Sequence, residues 1–528
     1  MAPRLKQLLA ELRALALLTG VSCLLLASNA AAAKPAPQPS GDIFYHVFVR
    51  SFRDSNGDRI GDLDGLTQEL GYIQRLGVTT ILLTPVQPSP FYHNYFATDF
   101  DGVAPEYGGK QAWTSLLRAA HKRGLKVYMD LEFQYLAGGH PWLTSAWGHP
   151  DSPYRDRVFW DTAPGAPTEK APPIASPFGL YAGATDGNSY LITPVNLNAP
   201  GVRDYFRDYL LRWADPHGDG SGRDGVDGFR IDHMMDDLDN THRNTNLFEG
   251  FWKPLMAAVK ARRPGLPFVG EQWDWGYGQD FLTKGDVDLV FAFPLRGALI
   301  SLDKSEILKE VAATEAATPA GKRQVLFLEN HDTDRSMSML GEDPKKARAA
   351  AAILMMLKGS PLIYYGQELG MRGKRAPSEN TDAPDIPRRQ AFPWMAEETA
   401  NGSAIWYRDF TRIWRIRDHD GRDGRSLQEQ DDDPGSLLNW YRQLTRLRHT
   451  RPELVEGVQT FPCPTISPVL CLMRQEGSRR TLLLVNLSQA PAAPGMPKGM
   501  ETGLNRLAGQ GELSAGLAPY EVRIAGTP

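Results

Sequence analysis

Cysteine is nearly absent: the 528 residues contain only Cys23, Cys463 and Cys471. Charge of one sign is lacking too. Lys and Arg total 58 against 62 Asp and Glu, a net charge of −4, and no basic block stands out. Nucleic acid and anionic membrane are therefore not expected partners. No internal repeat is visible. The one long apolar run, from about Ala14 to Ala27, is shorter than the roughly 20 residues of a spanning helix. It follows Arg4, Lys6 and Arg13 and precedes the small residues Ser28–Ala33, the layout of a secretory signal. Residues 1–33 read as a signal peptide cleaved near Ala30 to Ala33, and 34–41 as a polar, Pro-rich lead-in. The expected protein is secreted or periplasmic, with no membrane contact after cleavage. Cys23 does not read as a lipidation site, because apolar residues follow it and Gly20 stands where a larger aliphatic residue is usual.

What is present is length and alternation. A chain of 528 residues accommodates a barrel of about 250 residues plus further modules. Aromatic content of 10 %, with 12 Trp and 18 Tyr, suits stacking on sugar faces and equally suits a large core. From Ile43 onward, short apolar runs alternate with amphipathic stretches, the pattern of repeated βα units. Strands are expected near Ile43–Phe52, Thr79–Thr84, Lys126–Glu132, Gly228–Asp232, Pro267–Trp273, Val287–Pro294, Gln324–Asp332 and Leu362–Gly366. Helices fit between them at Asp64–Leu76, Lys110–Arg123, Val202–Ala214, Leu247–Arg262 and Asp343–Lys358. The fold class is α/β, a (β/α)8 TIM barrel with a small inserted domain after the third strand and a C-terminal antiparallel β domain. The barrel takes residues 42–132 and 200–451, the inserted domain 133–199, and a C-terminal β-sandwich domain 452–528. The irregular stretch Arg372–Asp433 forms a rim loop, followed by a helix over Ser436–His449.

Three acidic segments end strand-like runs: Gly228–Phe229–Arg230–Ile231–Asp232, Gly270–Glu271–Gln272–Trp273 and Glu329–Asn330–His331–Asp332. Strand C-termini of such a barrel converge on one face, and two carboxyl groups flanking an acetal are the minimum for cleaving a glycosidic bond. Asp54 to Asp62 places oxygen donors at alternate positions around Gly57, as a hard cation such as Ca²⁺ requires; the other reading is a solvated acidic turn in which Asp62 caps the next helix. Cys463 and Cys471 flank a Pro-rich turn between two strand-like runs. In an exported protein they close a disulfide across a hairpin; otherwise they are two reduced thiols.

GFRID, GEQW and ENHD in this order, with DSNGDRIGDLDGL early, APEYGG before the third strand and DPGSLLNWYRQLTRLR near the end, resemble the α-amylase family of retaining glycoside hydrolases (glycoside hydrolase family 13). The resemblance runs from Asp42 to the C-terminus. It implies Asp232 as nucleophile, Glu271 as general acid and base, and Asp332 as the residue that orients sugar hydroxyls and stabilises the transition state. It further implies that Arg230 keeps the nucleophile ionised, that His331 donates to the sugar, and that Tyr95 places its ring under it. For the metal loop it implies structural Ca²⁺ held by Asp54, Asn56, Asp58 and Asp62 side chains and the Ile60 carbonyl.

The pattern departs from the family at the third strand. The family follows its Asp with an aliphatic stretch and Asn-His; this chain has Asp130–Leu131–Glu132–Phe133–Gln134–Tyr135. Gln134 replaces an asparagine that in many members binds a second calcium, and Tyr135 replaces a histidine that touches the sugar. His233 to Asp236 replace a lysine-histidine pair on the leaving-group side, and Phe96 stands where exo-acting glucosidases often have an aspartate. The expected activity is cleavage of internal α-1,4-glucosidic bonds in starch, glycogen or malto-oligosaccharides by a monomeric enzyme. The alternatives are an α-glucosidase or transglycosylase on the same scaffold, or a non-catalytic sugar-binding homologue.

Overall fold

The computed structural model describes residues 41–162, 171–182, 185, 187–377, 383–409 and 421–528. The expected signal peptide and nearly all of the lead-in lie outside these residues. Eight parallel strands close a barrel: β1 (Phe44–Val47), β2 (Thr80–Leu83), β3 (Lys126–Leu131), β7 (Gly228–Met234), β8 (Phe268–Gln272), β9 (Leu289–Phe291), β10 (Arg323–Phe327) and β11 (Ser360–Tyr364). They neighbour one another in chain order, and β1 pairs with both β2 and β11. Each strand coincides with an apolar run in the sequence, because strands buried on both faces have no polar side to alternate with.

Several boundaries differ from expectation. The first strand ends at Val47, and Val49–Ser51 turn as a 3-10 helix. The run read as the sixth strand ends at Phe291; Phe293 starts a helix to Ser301, followed by another over Lys304–Ala316. Pro294 sits in the first turn of the former, where its missing N–H costs nothing. The helix Pro344–Met356 is buried from Ala349 to Met356 without a polar face. Its outer side lies under the C-terminal sheet, and Arg474 from that sheet donates Nη1 to the Met356 carbonyl at 2.9 Å.

Residues 133–199 form the inserted domain, whose antiparallel sheet is β4 (Tyr135–Ala137), β6 (Ser189–Pro194) and β5 (Leu180–Ala182) in spatial order. The expected C-terminal sandwich is corrected to one five-stranded sheet among the described residues: β12 (Val458–Thr460), β13 (Val469–Glu476), β14 (Arg479–Asn486), β16 (Val522–Gly526) and β15 (Asn505–Ala508) in spatial order. Alternation along the strands explains why no second sheet is needed. Leu470, Leu472, Leu483 and Val485 join the main core, whereas Val469, Cys471, Met473, Leu482 and Leu484 pack with Leu517 from the covering loops. Cys463 and Cys471 are disulfide-bonded, with Cα atoms 5.5 Å apart. Among the described residues no helix is long and apolar enough to cross a membrane.

Candidate active site

Asp232 lies on β7 at a bulge. The register against β8 shifts between Ile231 and Met234, and His233 adopts φ +42°. Bulges re-aim side chains beside active sites, and here the bulge turns Asp232 into an open cleft of about 270 Å³ over the strand C-termini. Glu271 enters from β8, and His331 and Asp332 from the turn after β10. The three acids singled out in the sequence therefore share one cleft.

Arg230 and Asp232, two residues apart on one strand, point to the same face. The guanidinium of Arg230 is 1 % exposed and binds three carboxyl groups. Its Nη1 donates to Asp130 Oδ1 at 2.7 Å and to Asp232 Oδ1, and its Nη2 lies 2.7 Å from Glu271 Oε2. One cation thus anchors nucleophile, acid and the buried Asp130. Glu271 also accepts from the His233 amide at 3.2 Å. Burial raises the Glu271 pKa well above the ordinary carboxyl value; Arg230 opposes this, while Asp232 and Asp332 add to it. The shift is in the direction that a general acid needs.

Asp332 is tuned the opposite way. Burial raises its pKa, but His331 Nε2 at 3.0 Å from Oδ2 and Arg389 Nη2 at 3.0 Å from Oδ1 overcome burial and hold it low, with Arg230 adding to the effect. The two carboxyl groups are therefore shifted in opposite directions, Glu271 up and Asp332 down.

Tyr95 stacks on His331 with ring centroids 5.3 Å apart and planes 10° apart. Its hydroxyl donates to Asp130 Oδ2 at 2.7 Å and lies 2.7 Å from His331 Nε2. Burial raises the Tyr95 pKa well above 10 and lifts Asp130 to about 6, against the pull of Arg230. Tyr135 lines the cleft, but its hydroxyl is committed to Asp239 Oδ1 at 2.6 Å. His233 also faces the cleft, with Nε2 3.6 Å from the same oxygen. Phe96 packs against Phe178 and Tyr181 of the inserted domain, and the three rings line the cleft together with Asp385 and Arg389.

Among the cleft residues that escaped the sequence reading are Arg389 and Glu132. Arg389 donates Nε to the His331 carbonyl at 2.9 Å, Nη1 to Tyr92 Oη at 2.9 Å and Nη2 to Asp332. Its only signal was the pair Arg388–Arg389 inside the Pro-rich rim stretch. Glu132, two residues beyond Asp130 and thus on the same face, lines the cleft and is 6 % exposed.

The loop Asp54–Asp62 stands apart from the cleft and is closed by its own acids. Asp54 Oδ1 accepts from the amides of Asn56 at 3.0 Å and Gly57 at 2.7 Å, and Oδ2 from Arg59 at 2.9 Å. Asp58 Oδ1 accepts from the Ile60 amide at 2.7 Å and Oδ2 from Asn56 at 3.0 Å. Asp62 caps the helix Leu63–Gln68 through Gly65 N at 2.7 Å. Among the described residues no three His, Cys, Asp or Glu side chains converge as a metal cluster. In kind the donors suit calcium: all are hard oxygens, and Asp54 Oδ2 and both Asp58 oxygens accept one hydrogen bond apiece, which leaves a lone pair on each.

The profile of the family described as "Alpha amylase, catalytic domain" matches residues 46–457. The chain belongs to the α-amylase family. Within that family it is 31 % identical over 415 residues to "Alpha-amylase 3" of Dictyoglomus thermophilum, covering 77 % of this chain and 76 % of the relative. To a "4-alpha-glucanotransferase" of Thermotoga maritima it is 29 % identical over 443 residues, 80 % of this chain and 90 % of the relative. Among solved structures, an α-amylase from H. orenii superposes with a TM-score of 0.72 at 26 % identity, covering 92 % of this chain and 99 % of that one. This α-amylase-family protein is an enzyme of glycoside chemistry, and an oligosaccharide is its class of substrate.

Proposed function

We propose that the enzyme hydrolyses internal α-1,4-glucosidic bonds of starch, glycogen or malto-oligosaccharides with net retention. The observation that carries this reading is the binding of Asp232 and Glu271 to the same guanidinium, Arg230, at the floor of an open cleft. In the first step Asp232 attacks the anomeric carbon as the bond to the leaving oxygen breaks, and that oxygen takes the proton of Glu271. In the second step water attacks the same carbon and gives its proton to Glu271, and the electron pair of the ester bond returns to Asp232. Asp332, ionised between His331 and Arg389, binds sugar hydroxyls more tightly as the ring flattens.

Endo action is supported by Phe96, which lines the cleft where an aspartate would grip a terminal sugar. Trp273 and Trp275, 45 % and 46 % exposed beyond Glu271, favour a second reading. They offer platforms to an incoming sugar, so the ester could pass to a sugar hydroxyl instead of water. Timed product analysis on maltoheptaose separates the readings. Maltose and maltotriose as first products support endo hydrolysis, glucose alone points to an exo-acting glucosidase, and products longer than the substrate mean transfer.

We also propose that Asp54, Asn56, Asp58, Asp62 and the Ile60 carbonyl hold a structural Ca²⁺, and that the enzyme works outside the cytoplasm after loss of residues 1–33. The Cys463–Cys471 disulfide supports export, since such bonds persist in oxidising compartments. Sequencing the N-terminus of exported enzyme tests the cleavage.

A further inference from the structure

A second pocket, of about 780 Å³, lies where the C-terminal sheet meets the barrel and shares no lining residue with the catalytic cleft. Its walls are the first turns of the helix Pro344–Met356, the helix Leu437–Thr450, the edge strand β15 and the turn before β16. The volume falls within the roughly 300–1,000 Å³ of small-molecule sites and exceeds what a bare anion fills. The charge of the lining is one-sided. It holds Lys345, Arg348 and Arg506 but one carboxylate, Glu521, so three cations less one anion leave two positive charges in excess. Glu521 is already engaged: Oε1 accepts from Arg523 Nε and Oε2 from the Ala518 amide, both at 2.7 Å. None of the three cations forms an ion pair among the described residues.

Arg348 is half-buried and held in place. Its Nη1 donates to the Gly435 and Ser436 carbonyls at 3.2 Å each, and its guanidinium lies over the Trp440 ring, 4.6 Å from the centroid. Burial lowers its pKa, opposed only by Asp433, whose Oδ1 accepts from the Gly435 amide at 2.8 Å. A partly desolvated cation with no carboxylate at bonding distance is unfavourable until an anion meets it. Tyr520 adopts φ +57°, a left-handed conformation that bulky side chains rarely take. Strain of this kind clusters at ligand clamps. Here it sets an aromatic ring in the pocket lining, with Lys346 Nζ 5.3 Å from its centroid.

We propose that this pocket is a second, non-catalytic binding site for a saccharide that carries a phosphate ester. A phosphate monoester brings about −1.5 to −2 charges at pH 7, which matches the excess of two in the lining; a single carboxylate supplies half of it. Arg348 and Arg506 offer guanidinium forks to phosphate oxygens, and Lys345 a point charge. The Tyr520 ring covers the apolar face of the sugar. The ester sits on a free sugar or on a glucan chain, and the recognition chemistry is the same. The inference goes beyond the catalytic reading and does not depend on it.

The test is titration calorimetry on the full chain at low salt, where exposed charges are least screened. The ligands are glucose 6-phosphate, phosphorylated maltodextrin, unphosphorylated maltodextrin, glucuronate and inorganic phosphate; the proteins are wild type, Arg506→Gln and Tyr520→Gly. Glycine suits the positive φ, Arg506 is exposed, and a melting temperature near that of wild type checks that each variant folds. Glucose 6-phosphate is expected to bind wild type with a Kd below about 1 mM. Arg506→Gln should weaken it about tenfold or more, and Tyr520→Gly should weaken it while leaving inorganic phosphate unaffected. Binding of phosphorylated maltodextrin with the same dependence on Arg506 assigns the ester to a chain, and binding of glucose 6-phosphate alone assigns it to a free sugar. The proposal is overturned if neither phosphorylated ligand binds, if Arg506→Gln changes nothing, or if glucuronate, inorganic phosphate or unphosphorylated maltodextrin binds as tightly with the same dependence on Arg506.

Discussion

Arg230 presents Nη2 to Glu271 Oε2 at 2.7 Å. The acid and the nucleophile are therefore anchored by one rigid fork, and their relative position depends on a single planar group. The pairing does not ionise Glu271, because burial outweighs it. It fixes the relative position of the two carboxyls, while burial raises the Glu271 pKa against it.

Replacing Glu271 with Gln removes the general acid. With maltoheptaose, kcat/KM is expected to fall on the order of 10³-fold or more, whereas formation of the glycosyl ester from para-nitrophenyl α-maltoside, whose leaving group needs little protonation, loses far less. The pH profile carries the sign. Because the Glu271 pKa is raised, wild-type activity falls on the alkaline side as Glu271 loses its proton, and the nitrophenol burst of the Gln variant should lack that limb.

Arg389→Ala removes the cation on Asp332 Oδ1 and the clamp on the His331 carbonyl. Asp332 loses part of what holds its pKa down, and the acidic limb of the profile should move to higher pH. Turnover is expected to fall about 10- to 100-fold. An unchanged acidic limb would show that His331 and Arg230 suffice to keep Asp332 ionised.

Glu368, fully buried behind β11, accepts from Tyr45 at 2.7 Å and Tyr72 at 2.5 Å on the same oxygen, and burial lifts its pKa to about 7. Its folded pKa lies above the usual 4.5, so the folded state binds the extra proton between those values. The stability it contributes is present below about pH 4.5 and lost as pH rises through 7. Glu368→Gln keeps the accepting oxygen and cannot ionise. Its melting temperature should decline less between pH 5 and pH 8 than that of wild type, as read by calorimetry.

Calcium bound only to the folded state must stabilise it. Chelation should lower the melting temperature by several degrees, with full recovery on adding Ca²⁺, and Asp54→Ala should remove the response. An identical melting curve with and without chelator would falsify the metal assignment and leave a loop closed by its own hydrogen bonds.

The barrel was legible because its strands are apolar on both faces and separated by helices with a clear stripe. The inner helix Phe293–Ser301 was not legible, since it continues the apolar run of β9 without a polar break and so reads as more strand. The C-terminal segment was legible as strands but not as one sheet. Alternation along β13 and β14 shows two apolar faces, and nothing local says that a barrel helix covers one of them.

The same division runs through the active site. Asp232, Glu271 and Asp332 announce themselves because each stands where an apolar strand meets the barrel's open face, a relation between neighbours in the chain. Short-range order also determined the pairing of Arg230 with Asp232, two residues apart on one strand. Tertiary structure alone decided that Arg230 reaches Glu271 as well, that Arg389 from a distant rim segment holds Asp332, and that Glu132 lines the same cleft. The physical reason is that the charge state of a buried carboxyl depends on what is within a few ångströms of it, and those neighbours come from five different strands and the loops that follow them.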